Sequence, residues 1–220
     1  MLEAVVFDWG GVLSMSPAAR LADLEARLEY DPGTLRTLFA LTDDDGVPMW
    51  IHLESGRLPL DEFVELVGAQ AHQVLGERPL DLEEFAGFDW LYHAGIHWPV
   101  VHHIRGLRSA GYRLGMLTNN VAEWRDAWRS TIPIAELFDD VVDSSEVGIC
   151  KPDPGVYHLA CERLGVEPPA AVFLDDTERN VEGARAVGMR AILVGADPGE
   201  ALAELDRLLA QEGTPRPANP

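Results

Sequence analysis

Three apolar runs in this 220-residue chain each end on residues able to do chemistry. Ala4-Val5-Val6-Phe7 leads into Asp8, Arg113–Leu117 into Thr118-Asn119, and Ala170–Leu174 into Asp175-Asp176. Brought together, Asp8, Asp175 and Asp176 would repel one another unless a cation neutralised them. Carboxylate oxygens with room for water suit Mg²⁺, and the sequence has no Cys/His cluster with the spacing of a zinc site. A carboxylate can also attack phosphorus, forming an aspartyl phosphate that water then hydrolyses. That chemistry needs the phosphoryl oxygens neutralised by cations and hydrogen-bond donors. Thr118 and the amides at the helix start after it can donate. Lys151, in Cys150-Lys151-Pro152-Asp153-Pro154, is the best cation, in a loop whose prolines hold the backbone.

These residues meet only if the runs that carry them are neighbouring strands. From Trp98-Pro99 onward, helix and strand patterns alternate. Helices are expected near 100–110, 121–129, 154–164, 179–187 and 199–210. Strands are expected at Arg113–Leu117, Val141-Val142, Ala170–Leu174 and Arg190–Val194. Alternation of this kind predicts an α/β fold with a parallel sheet covered on both faces. Ligands of such sheets bind beyond the carboxyl ends of the strands, which is where the polar residues stand. Residues 17–95 read differently. Ser16-Pro17 is a helix start, Leu21, Leu24 and Leu28 share one face, and helical runs follow at 33–41, 47–56, 60–76 and 81–92. Nothing there alternates like a strand, so the stretch reads as an all-helical insertion. The expected division is a core of 1–16 and 96–212, the insertion at 17–95, and a disordered tail at 213–220.

Composition narrows the partners. A hydrophobic fraction of 47% with 25% charged residues is ordinary for a globular protein. No apolar run approaches the roughly 18–20 residues that span a bilayer, and no secretory signal is read at the start. Cys150 and Cys161 make no disulfide framework, so a reduced, cytoplasmic setting is expected. A net charge of −20 repels nucleic acid and anionic membranes. A small phosphorylated molecule is compatible, because a metal ion and one lysine reverse the sign locally. A monomer or homodimer is expected, since exposed tryptophans in the insertion would permit pairing. His93, His97, His102 and His103 cluster in sequence, but Gly95 and Pro99 interrupt any helix that would align them on a metal. Trp50, His52, Trp90 and His93 are candidates to line a pocket, although packing is the commoner role for such tryptophans.

The motifs resemble those of the haloacid dehalogenase superfamily. Val6-Phe7-Asp8-Trp9-Gly10-Gly11-Val12-Leu13 is similar to its first motif and Leu117-Thr118-Asn119-Asn120 to its second. Lys151-Pro152-Asp153-Pro154 is similar to the third. Phe173-Leu174-Asp175-Asp176, with Asn180, Gly183-Ala184 and Gly188-Met189, is similar to the fourth. All four stand in family order along nearly the whole chain. The resemblance implies a Rossmann-like core with a C1-type helical cap, as in the N-terminal phosphatase domain of soluble epoxide hydrolases. It implies Asp8 as nucleophile and Mg²⁺ ligand, Asp176 as a direct ligand, and Asp175 as a ligand through water. Thr118 and Lys151 would hold the phosphoryl group, and Asn119 would bond substrate or order the loop.

Gly10 departs from the pattern. The family's phosphatases usually carry a second aspartate there, which protonates the leaving group and later activates water. A glycine still offers its carbonyl to a metal, so metal binding and attack survive while leaving-group assistance is lost. The leaving oxygen's acidity is then expected to control the rate steeply, unless another group, first of all a cap histidine, supplies the proton. Two other readings share the fold: a 2-haloacid dehalogenase, in which the aspartate attacks carbon without a metal, and a binding or regulatory protein with little turnover. The acidic pair Asp175-Asp176 argues against the first, and intact Asp8, Lys151 and Asp176 against the second. The cap is expected to open and close about hinges near Ser14–Ser16 and Gly95–Pro99.

Overall fold

The computed structural model describes residues 1–76 and 95–212. The helix expected at 81–92, Trp90, His93 and the tail from 213 lie outside the described residues. Five parallel strands form one sheet in the order β3-β2-β1-β4-β5. They are β1 (Ala4–Phe7), β2 (Arg113–Thr118), β3 (Asp140–Asp143), β4 (Ala171–Asp175) and β5 (Arg190–Leu193). In the centre, Phe7 pairs with Met116 on one side and Leu174 on the other. The registers therefore bring Asp8, Thr118 and Asp175 to one edge of the sheet.

Every residue of β1 is fully buried, because both faces are covered. Val5 and Phe7 join Leu114, Met116, Val172, Leu174 and Ile192 on one face, and Val6 joins Leu117, Phe173 and Tyr157 on the other.

The insertion begins with α1 (Pro17–Arg27). Ser16 caps it, its hydroxyl accepting from the Ala19 amide at 3.2 Å, and Pro17 opens its first turn. Next come α2 (Thr34–Phe39), α3 (Met49–Glu54) and α4 (Leu60–Leu75), all helical as expected but shorter than their apolar runs. The buried Glu25 carboxylate of α1 accepts from the amides of Gly33 and Leu35, at 2.8 and 2.7 Å, tying the start of α2 back to α1. Leu24, Leu35, Leu38, Leu53 and Phe63 continue the same apolar cluster that backs β1. The two passages between insertion and sheet run side by side. Ser14 bridges Ile96, the Met15 amide donates to the Gly95 carbonyl at 3.0 Å, and the His97 amide to the Leu13 carbonyl at 2.8 Å.

The second half contains α5 (Trp98–Ser109), α6 (Arg125–Arg129), α7 (Ile134–Leu137), α8 (Ser144–Val147), α9 (Pro154–Leu164), α10 (Glu178–Ala186) and α11 (Pro198–Glu212). The helix expected over 121–129 is instead a 3₁₀ turn, Ala122–Trp124, running into α6. The short helices α7 and α8 carry no periodic signal of their own; α8 is one turn started by the Asp143 carboxylate, which accepts from the Ser145 amide at 3.0 Å. Among the described residues, no helix is long and apolar enough to cross a membrane.

Candidate active site

Asp8, Thr118, Asp175 and Asp176 stand at strand ends, and Lys151 comes from the loop before α9. The Asp8 amide donates to the Leu174 carbonyl at 2.9 Å, carrying the β1–β4 ladder one residue past β1. Its carboxylate is then fixed by the Trp9 amide, 2.7 Å from Oδ1. Lys151 Nζ lies 2.8 Å from Asp8 Oδ1 and 2.6 Å from Asp175 Oδ2, with its side chain only 1% exposed. The face of Phe173 lies 5.3 Å from the same ammonium. Asp175 has no free oxygen edge. Oδ1 accepts from the Thr177 amide at 2.8 Å, and the Asn180 amide reaches both oxygens at 3.1 and 3.2 Å. Asp175 therefore anchors the lysine and the start of α10.

Asn119 orders the lysine loop: its Oδ1 accepts from the Lys151 amide at 2.8 Å and its Nδ2 donates to the Lys151 carbonyl at 3.1 Å. Thr118 is buried and lines the cavity. Asp176 sits directly over Gly11. A Cβ on that glycine would fall 2.0 Å from Asp176 Oδ2, and its φ of +75° is itself a glycine conformation. Gly11→Ala should thus cost backbone strain of roughly 1–3 kcal/mol and a clash besides. Gly33, at φ +89° with open space around it, isolates the strain alone. Thermal melts should show Gly11→Ala destabilised clearly more than Gly33→Ala; equal losses would mean that Asp176 yields freely.

The donor set fits a hard divalent cation. Oxygens of Asp8, Asp175 and Asp176 lie within 4.8 Å of one another. Three carboxylates against one ammonium leave two negative charges, the complement of Mg²⁺. Burial holds the Asp8 carboxyl well above the usual carboxylate range; Lys151 pulls it down, and the charges of Asp175 and Asp176 push it further up. Asp176 is raised by burial and by Asp175. Burial works to lower the Lys151 ammonium, but Asp175 and Asp8 more than reverse it, so the lysine stays charged.

Asp8, Thr118, Asn119, Lys151 and Asp176 line a cavity of about 280 Å³, with Asp175 buried behind them. Leu21, Phe39, Trp50 and Trp124 build an apolar wall, with Phe39 stacked on Trp50 at 4.6 Å. Arg20, Glu54 and Arg179 also line it, and the strand-end reading missed all three. No local signal marks them, since two come from the helical insertion and reach the site only by packing. Asn180 was visible as a motif residue, but its clamp on Asp175 was not. Of the histidines suggested for the missing acid, no described one borders the cavity. His52 Nε2 is 2.7 Å from Asp43 Oδ2, and His97 Nδ1 is 2.9 Å from the Val12 carbonyl. Burial pushes the thiol of Cys150, beside Lys151, up to about 11, which favours its protonated form near neutral pH.

A family model for haloacid dehalogenase-like hydrolases matches residues 2–188, and the chain belongs to that family of enzymes. It is 33% identical to Phosphatase MT3486 of Mycobacterium tuberculosis, over 88% of this chain and 87% of that one. It is 31% identical to mouse acyl-CoA dehydrogenase family member 10, over 94% of this chain but 19% of that protein. Pig bifunctional epoxide hydrolase 2 matches at 28% identity, again with only 41% of its length spanned. The chain thus covers well under half of these two longer relatives. Among solved structures, the fold is shared with enzyme BT-2542 of Bacteroides thetaiotaomicron, solved with magnesium and inorganic phosphate. The TM-score is 0.64 at 19% identity, over 91% of this chain and 99% of that one. It is shared also with L-2-haloacid dehalogenase of Xanthobacter autotrophicus, TM-score 0.62 at 22% identity, over 93% and 82%.

Proposed function

We propose that the protein is a Mg²⁺-dependent phosphatase of a small phosphorylated metabolite, with residues 17–95 acting as a helical cap over the core. One observation carries this reading: a buried lysine joins Asp8 to Asp175 while Asp176 faces the same cavity. The similarity to a mycobacterial phosphatase along most of both chains supports it. In this reading the Asp8 carboxylate attacks phosphorus, and the bond to the leaving oxygen breaks. Lys151 and Thr118 hold phosphoryl oxygens as charge moves onto them. Water then attacks the aspartyl phosphate, the bond to Asp8 breaks, and inorganic phosphate departs. Mg²⁺, held by Asp8, Asp176 and the Gly10 carbonyl with Asp175 behind a water, would add positive charge against the phosphoryl oxygens. The substrate's leaving portion meets the wall of Phe39, Trp50 and Trp124, which favours an apolar or planar group.

The test is phosphate release from 4-nitrophenyl phosphate with Mg²⁺, with chelator, and with 2-haloacids as the competing substrates. Chelator should silence hydrolysis and Mg²⁺ restore it. Asp176→Ala should raise the half-saturating Mg²⁺ concentration by at least about tenfold. Asp175→Ala should act first on the fold, lowering the melting temperature, because three groups lose their anchor. Halide release that survives chelator would replace the phosphatase reading with the dehalogenase one.

A further inference from the structure

We propose that Glu54, on helix α3 of the insertion, is the catalytic general acid and base that stands in for the carboxylate missing at position 10. The proposal rests on the phosphatase reading above and adds the residue that handles the proton.

The gap at Gly10 is built into the packing. A Cβ there would lie 3.0 and 3.1 Å from Cδ and Cγ of Pro17, the residue that opens α1, so any longer side chain would press on that ring. A proton for the leaving oxygen, if the protein supplies one, has to come from another group on the cavity wall. Among the described residues, the carboxylates that line the cavity are Asp8, Asp176 and Glu54. Asp8 is taken as nucleophile, and Asp176 is seated over Gly11. Lys151 is held charged between two carboxylates. That leaves Glu54.

Its position is fixed from the core side. The Ser144 hydroxyl, just after β3, donates to the Glu54 carbonyl at 2.5 Å, and the same hydroxyl accepts from the Asn120 amide at 3.0 Å. Gly56, two residues on, packs against the Ser145 carbonyl. The Cys150 thiol, next to Lys151, is 3.9 Å from the Ile51 carbonyl. The last turn of α3 is thus docked on the loops that carry Asn119 and Lys151. The side chain follows: Asn119 Nδ2 lies 3.3 Å from Glu54 Oε2, the same amide that brackets the Lys151 loop. Glu54 therefore enters the cavity from the insertion, while Asp8 enters from the sheet. Burial raises its carboxyl above the ordinary glutamate range, against hydrogen bonds from Trp50 and Asn119 and the charges of Lys151 and Arg179. A protonated carboxyl in such a place can donate.

The proton balance is simple. As the phosphorus–leaving-oxygen bond breaks, the Glu54 carboxyl gives its proton to that oxygen, releasing a neutral alcohol. The resulting carboxylate takes a proton from the water that attacks the aspartyl phosphate, and the cycle ends with Glu54 protonated and Asp8 free.

Leaving-group dependence decides the matter. With Mg²⁺ present, kcat/KM is measured over aryl and alkyl phosphates for the wild type and for Glu54→Gln, which keeps the shape and an acceptor for Asn119. The wild type should show a shallow dependence. Glu54→Gln should lose about 10²-fold or more on alkyl esters and less than about fivefold on 4-nitrophenyl phosphate, whose oxygen leaves unprotonated. Retained aryl turnover reports that the variant is folded; should it fail to fold, Glu54→Asp takes its place, with the same selective loss expected. Equal losses on both classes, no loss on either, or a steep dependence already in the wild type would overturn the assignment of Glu54 and leave the phosphatase reading standing. A wild type that hydrolyses no phosphate ester would overturn the phosphatase reading itself, and Glu54's role with it.

Discussion

Asp8→Asn should abolish phosphate release, by about 10⁴-fold or more, in a protein that still folds. An amide oxygen cannot form the acyl phosphate, so the covalent route closes while the hydrogen bonds around it persist. The Trp9 amide and Lys151 Nζ, 2.7 and 2.8 Å from Oδ1, both find an acceptor in asparagine. The stability change should be small. Asparagine gives up the attraction of Lys151 but also the burial penalty and the repulsion of Asp175 and Asp176, the two causes that raise this carboxyl. A melting temperature within a few degrees of wild type, together with lost turnover, is the expected pair of results. Activity within about an order of magnitude of wild type would sink the nucleophile assignment.

The second large effect is expected at Lys151, where function and stability fall together. Its ammonium is buried against two carboxylates, so Lys151→Met leaves Asp8 and Asp175 facing each other without a counter-charge. Breaking a buried pair from one side typically costs about 3–5 kcal/mol. For a chain of this size that is a drop in melting temperature of roughly 6–20 °C. The melt belongs in chelator, so that no divalent ion replaces the lysine. The pH dependence has a definite sign. Removing Lys151 deletes the main influence that lowers Asp8, and its folded carboxyl then stands still further above the unfolded value. Such a group favours the folded state at low pH and disfavours it as pH rises through the folded value, so the deficit should shrink on acidification. Lys151→Met with Asp175→Asn should recover much of the stability and none of the activity. A single variant melting within about 2 °C of wild type would show that the lysine does not neutralise the buried carboxylates.

Much of this protein could be read locally. A parallel strand buried on both faces announces itself as a short apolar run, and its carboxyl end is wherever that run stops. Asp8, Thr118 and Asp175-Asp176 were therefore legible as strand-end residues, and the parallel registers bring those ends together. Ser16-Pro17 was legible for a similar reason, since a helix cap is chemistry between residues three apart. Lys151 stood out in Cys150-Lys151-Pro152-Asp153-Pro154, a loop whose prolines hold the backbone; that it lies between Asp8 and Asp175 follows from a loop crossing to a different strand.

Contacts across long sequence separations were not legible. Glu54 looks like any solvent-facing glutamate of an amphipathic helix, and it reaches the site because Ser144, 90 positions later, holds its carbonyl. Gly10 reads as a lost acid, whereas only the packed ring of Pro17 shows why a side chain there would be resisted. The 3₁₀ break before α6 and the short helices α7 and α8 carry no periodicity that could announce them. Apolar period and turn chemistry are local properties, so the parallel sheet and the polar residues at its strand ends, Asp8 as candidate nucleophile among them, could be read from the residues alone. Which side chains the helices between β1 and β2 bring to that cavity depends on how two surfaces far apart in sequence fit, and no local pattern encodes that fit.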